Sequence, residues 1–84
     1  MTPKEFEDEI RARGDYLDVR TLEDGTVIGL GELAFTRAIY FDMDLAGWGR
    51  RFCYEDRQLA VIEYAKIVNG NTEPQGFIAQ RPEK

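Results

Sequence analysis

The chain has 84 residues, 43% of them apolar and 12% aromatic, which is enough for one domain and too apolar for a disordered segment. Its formal charge of −5 argues against nonspecific nucleic-acid binding, whose affinity comes mainly from neutralising phosphates. The lone cysteine, Cys53, excludes an internal disulfide, and no apolar run approaches the ~20 residues that span a bilayer. The expectation is a single soluble domain over residues 1–84 that folds by packing alone in a reducing compartment, the cytoplasm.

The segment Thr2–Arg13 reads as a helix. Thr2 can cap it, Pro3 suits the first helical position, and Glu5 completes a Thr-x-x-Glu capping box. Glu5, Glu7 and Asp8 lie in the first turns and Arg11 and Arg13 in the last, the order that the helix dipole favours. Gly14 is a natural stop. The start leads into this acidic stretch rather than into the apolar core of a signal peptide. Phe6 and Ile10, with Ala12 beside them, are thin anchorage, which leaves the helix free to move or to lie against a partner.

The charge is uneven along the chain. Residues 1–42 hold five Lys/Arg against ten Asp/Glu, whereas residues 43–84 hold six of each. An acidic first half either keeps a small protein soluble or docks on a basic partner.

A hairpin follows. Tyr16–Leu22 runs into Glu23-Asp24-Gly25-Thr26, whose Asp-Gly pair is a strong turn signal. The return strand Thr26–Leu30 reaches Gly29 and Gly31, which suggest a bulge or a close approach of another backbone. No Walker lysine accompanies these glycines, so they are not read as a phosphate loop.

The stretch 31–56 forms the centre of the chain. From Leu33 to Phe41 every second residue (Leu33, Phe35, Ile39, Phe41) is large and apolar, with Arg37 breaking the run. Trp48–Tyr54 alternates likewise, with Trp48, Arg50, Phe52 and Tyr54 on one face. The intervening Asp and Gly residues suit an antiparallel ribbon. Asp56 then caps a second helix, Arg57–Val68, whose apolar arc is Ala60, Val61, Tyr64, Ala65, Ile67 and Val68. Glu63 and Lys66 lie opposite, spaced to pair. Leu59 and Ile62 fall on the polar side, where they contact a loop, the first helix or another molecule. A short run Phe77–Ala79 makes a last strand, and the remainder to Lys84 reads as a loose tail.

The predicted fold is therefore α+β: an N-terminal helix, a three- to four-stranded antiparallel sheet, and a second helix packed on one sheet face. Its core is expected to hold Leu33, Phe35, Ile39, Phe41, Phe52, Val61, Tyr64, Ala65 and Val68.

Chemistry-bearing residues are few. The absence of histidine removes the commonest general base and metal ligand, and the absence of serine rules out a serine triad. Cys53, on an alternating strand with no histidine to activate it, reads as a packed thiol. Asp42-x-Asp44 resembles the start of a calcium loop, but Ala46 stands at its fifth position and Cys53 at its twelfth, where the bidentate glutamate belongs. It is read as turn chemistry. No enzyme activity, metal or cofactor is expected.

Arg37, Arg50, Arg51 and Arg57 are interleaved with Tyr40, Trp48, Phe52 and Tyr54. Such residues pair with the chain's own acids, or they form an interface. The expected partner-binding set is Trp48, Arg51, Arg37 and Arg57. Glu7, Asp8 and Glu9 are added as rim charges that set the association rate.

The ribbon also carries a resemblance. Phe35-Thr36-x-x-Ile39, then Asp44-x-x-Gly47-Trp48-x-x-Arg51-Phe52-Cys53-Tyr54-Glu55, then an alanine-containing helix and Pro74-Gln75-Gly76-Phe77-Ile78, resembles small uncharacterised proteins of phages and prophages. The likeness covers about half the chain and leaves out the first helix and hairpin. It implies an accessory protein acting inside a bacterial host, with no known site, cofactor or activity. By analogy alone, such a protein binds and blocks a host factor, for example a defence nuclease in the manner of an anti-CRISPR protein. The alternative is an assembly protein acting by self-association, through Leu59 and Ile62 or through an open sheet edge. Either reading allows a monomer or a weak homodimer.

Overall fold

Alternating side chains on the central strands must be buried on both sides, and the two helices supply the two covers. The computed structural model describes residues 2–14 and 16–82. Its elements are α1 (Pro3–Arg13), β1 (Tyr16–Thr21), β2 (Val27–Glu32), β3 (Arg37–Phe41), β4 (Arg50–Tyr54), α2 (Arg57–Lys66) and β5 (Ala79–Pro82). The strands pair antiparallel in the order β1-β2-β3-β4-β5.

One face of this sheet presents Ile28, Leu30, Ile39, Phe41, Phe52 and Tyr54 to Ala60 and Tyr64 of α2 and to Ile67 at its C-cap. The other presents Val19, Val27, Ala38, Tyr40 and Cys53, with Met43, to Ile10 and Phe6 of α1. Ile39 stands opposite Phe52 in the central register, and both are fully buried.

Local signals start each element. Thr2 and Glu5 form the capping box of α1, with the Glu5 N–H donating to Thr2 Oγ1 at 3.2 Å. The Asp24-Gly25 turn has Gly25 at φ +90°, the left-handed conformation that glycine adopts freely. Asp56 caps α2 by accepting from the N–H groups of Gln58 and Leu59. Gly29 and Gly31 make room for side chains rather than for backbone. A Cβ on Gly29 would lie 2.5 Å from Met43 Sδ, and one on Gly31 would lie 2.8 Å from the Tyr40 ring.

Polar side chains fasten the layers. Glu7 Oε2 accepts from the Thr21 N–H at 3.1 Å and Oγ1 at 2.7 Å, and Arg11 donates to the Val19 carbonyl at 3.2 Å. Edge strand β1 thereby has part of its outer row of backbone groups satisfied by α1, which blunts it as a template for another strand. Arg20 Nη2 donates to the carbonyls of Tyr64 (2.6 Å) and Ile67 (3.1 Å) at the end of α2, where a cation complements the helix dipole. The Tyr64 hydroxyl donates to Asp18 at 2.8 Å. The buried Glu63 accepts from the Gln75 N–H at 2.9 Å and from Lys66 at 3.0 Å, while the Tyr54 hydroxyl donates to the Gln75 carbonyl at 2.8 Å.

Several expectations are corrected. Phe35 is not core: Leu33 N–H donates to Thr36 O, the chain turns at Ala34-Phe35, and Phe35 is 87% exposed. The strand begins only at Arg37, so the alternation read from Leu33 runs through a turn, and Leu33 is only partly buried. Helix α2 ends at Lys66, with Ala60, Glu63, Tyr64 and Ile67 inward. Val61, Ala65 and Val68, expected inside, are exposed, because Glu63 and Tyr64 have polar partners on the sheet side that fix the rotation. Leu59 does contact the molecule's own interior, packing against the core. The sheet has five strands because the expected last strand lies at Ala79–Pro82 and joins β4. Gln80–Pro82 are therefore not a tail, and residues 83 and 84 lie outside the described residues.

Two measurements test this arrangement. Phe52→Ala should cost about 3–5 kcal/mol in urea denaturation, the range for a large core truncation, whereas Phe35→Ala should stay within about 0.5 kcal/mol as a surface change. Acid should also loosen the fold. The carboxyl of Glu63 is held below its ordinary range by the Gln75 N–H and then by Lys66, that of Glu32 by Arg37 and then Arg57, and that of Asp24 by the N–H groups of Gly70 and Thr26. A lowered folded-state pKa means that the unfolded chain takes up protons first. The stability these groups supply is complete above the unfolded carboxylate pKa of about 4 and is lost as pH falls through the folded values. Midpoints measured across this window should fall for the native chain and fall less for Glu63→Gln.

Candidate functional site

The loop between β3 and β4 places the exposed part of the α1-side face. Asp42 takes a left-handed φ of +58°, a conformation that Asp tolerates better than most residues. Asp44 Oδ1 accepts from the N–H groups of Ala46 and Gly47, both at 2.8 Å, and the Gly49 N–H returns to Phe41 O at 2.9 Å. Asp42 also pairs with Arg50 at 3.3 Å. Both carboxylates of the Asp-x-Asp pair thus have turn and ion-pair roles. Among the described residues no group of three or more His, Cys, Asp or Glu is placed to hold a metal ion.

The loop returns Trp48, half-buried, onto the sheet beside Tyr40, with ring centroids 5.6 Å apart. Tyr16 of β1 meets Tyr40 edge-on at 5.3 Å. Arg51 of β4, in register with Tyr40, lays its guanidinium over the Trp48 ring at 5.2 Å. Burial raises the Tyr40 hydroxyl pKa, and Arg51 beside it works against that rise. The row ends in a cleft of about 380 Å³ between α1 and the loop, lined by Ile10, Arg13, Tyr16, Asp44 and Leu45 among others.

The four expected ribbon residues do not form one patch. Trp48 and Arg51 come together on the α1 side. Arg37 shares the opposite face with Ile39 and Tyr54, and Glu32 holds both it (2.8 Å) and Arg57. The acidic trio is likewise engaged: Glu7 on β1, Asp8 with Lys4 at 3.2 Å, and Glu9 with Arg13 at 3.8 Å. The exposed pairs among these contribute little to stability, but they diminish a free acidic surface. Tyr16 and Glu32 were not singled out from the sequence. Tyr16 reaches Tyr40 across 24 positions, and nothing local marks either contact.

Arg51 differs from the other arginines whose side chains are described. Arg11, Arg13, Arg20, Arg37, Arg50 and Arg57 each reach a carboxylate or a backbone carbonyl. Arg51 has neither among the described residues, and its Nε, like that of Arg20, is buried with no hydrogen-bond partner there.

Comparison of the chain with protein-family models, curated proteins and solved structures found no match. Among the described residues no helix is long and apolar enough to cross a membrane.

Cys53 is buried, in register between Ala38 and Ala79. Cys53→Ala should lower stability by about 1 kcal/mol, as a small cavity does, and native-state labelling of the thiol should be slow. Fast labelling would show an accessible thiol.

Proposed function

We propose that this chain is a non-enzymatic binding module that docks on a protein partner through the surface built from Trp48, Tyr40 and Arg51. The observation that carries this reading is the arginine stacked on a half-buried tryptophan at the sheet surface, without a carboxylate partner among the described residues. Tryptophan and arginine dominate binding energies more often than other residues, because each gives a large, fairly rigid contact with a polar handle. The resemblance of the ribbon to phage and prophage proteins supports a host protein in the bacterial cytoplasm as that partner. By the same analogy, docking blocks the host protein's action, a defence nuclease being one such target.

A second reading has its own support. The solvent face of α2 presents Val61, Ile62 and Ala65, with Ile62 51% exposed and Val68 66% exposed just beyond the helix. An apolar stripe of this kind suits self-association.

The two readings separate in one series of measurements. Trp48→Ala or Arg51→Ala should weaken binding of a partner captured from bacterial lysate by about 2 kcal/mol or more, while Arg57→Ala, whose head is held by Glu32, leaves it unchanged. Sedimentation at tens of micromolar should show a monomer. A concentration-dependent dimer that Ile62→Lys abolishes, with normal partner binding by the Trp48 and Arg51 variants, would move the function to α2.

A further inference from the structure

We infer that Arg51 is the seat for a carboxylate side chain of the partner, so that the docked segment is an acidic peptide stretch. The inference rests on the reading of the Trp48 surface as the docking face and names the chemistry which that face selects.

Two observations converge on it. First, the chain has sixteen acidic residues, and six arginines are engaged by carboxylates or carbonyls, yet the guanidinium at position 51 has only the Trp48 ring and the Tyr40 phenol beside it among the described residues. Stacking on an aromatic face orients a guanidinium, the planar group that pairs bidentately with a carboxylate. Second, this half of the sheet lacks a helical cover among the described residues. Helix α1 packs mainly on β1, and α2 lies on the other face.

The neighbouring features fit a peptide rather than a free ion. Tyr16 and Tyr40 lead from Arg51 and Trp48 to the cleft beside Leu45, which gives room for a residue flanking the acid. A nucleic acid would bring a phosphate at every step against a chain of net charge −5, which favours a single carboxylate on a protein segment.

Selection from a displayed library of random peptides against the full chain tests this, with the fluorescence of Trp48, the one tryptophan, as the binding signal. Selected peptides should share an Asp or Glu. Changing that acid to its amide, or Arg51→Gln in a chain with an unchanged thermal midpoint, should weaken binding at least about tenfold, the scale of one charge-assisted contact. Arg57→Gln should leave it unaltered. Peptides that lack a required acid, equal binding by Arg51→Gln, recovery of no binding peptide, or tighter binding of oligothymidylate than of any peptide would each overturn the inference. If peptides bind without an acid but are lost with Trp48→Ala, the docking face stands and only its acid preference fails. If neither Trp48→Ala nor Arg51→Gln matters, the face itself was wrongly placed.

Discussion

The pairing of Ile39 with Phe52 across the two central strands is the contact on which the rest of this structure depends. Both side chains are fully buried against α2, and Phe41 and Phe77 meet the Phe52 ring at 5.5 and 5.0 Å. Because side chains alternate on a strand, placing Ile39 and Phe52 under α2 sends Ala38, Tyr40 and Cys53 to the other face. That second face cannot be left wet across its whole width in so short a chain. Helix α1 closes one side of it with Ile10 and Phe6, and the tyrosine and tryptophan rings cover the next part.

Hydrophobic burial is only half of how the layers hold position. Helix ends, loop amides and a strand edge would otherwise leave backbone groups without partners, and such groups are costly when water is excluded. Arg20 reaches the last carbonyls of α2, Glu63 and Tyr54 hold the Gln75 peptide, Asp24 accepts from the Gly70 N–H at 2.8 Å, and Glu7 and Arg11 engage the outside of β1. These side chains are charged or phenolic and come from distant parts of the chain. They explain why Glu7, Asp24 and Glu63 are not left over for a docking surface. They also set Arg51 apart, since the same accounting that places the other described arginines leaves it beside neutral rings.

The site inherits its rigidity from this arrangement. Arg51 and Tyr40 lie on paired central strands, and Trp48 is delivered by a loop closed through the Asp44 turn and the Gly49–Phe41 hydrogen bond. A surface built on strands with one short, internally bonded loop loses little freedom when a partner is bound. The apolar stripe on α2 faces away from it, on the far side of the sheet, so the two candidate surfaces are separate in space as well as in chemistry.

Local chemistry was legible in the residues themselves. The capping box at Thr2 and Glu5, the Asp24-Gly25 turn, the Asp56 cap and the alternation over Ile39–Phe41 and Phe52–Tyr54 each involve neighbours a few positions apart, and each determined its element from the sequence alone. Alternation could not show where a strand begins. Leu33 and Phe35 continue the pattern, but a two-residue turn ejects Phe35 into solvent because the pairing of Glu32 with Arg37 closes the hairpin there. Nor could an apolar arc set the rotation of α2. Hydrophobicity favoured Val61, Ala65 and Val68, whereas Asp18 and Gln75, 46 and 12 residues away, turned Tyr64 and Glu63 inward instead. The sequence likewise grouped Arg37, Arg51 and Arg57 by proximity along the chain. Only tertiary structure separated them, because a strand sends adjacent residues to opposite faces and Glu32, remote from Arg57 in sequence, claimed two of the three.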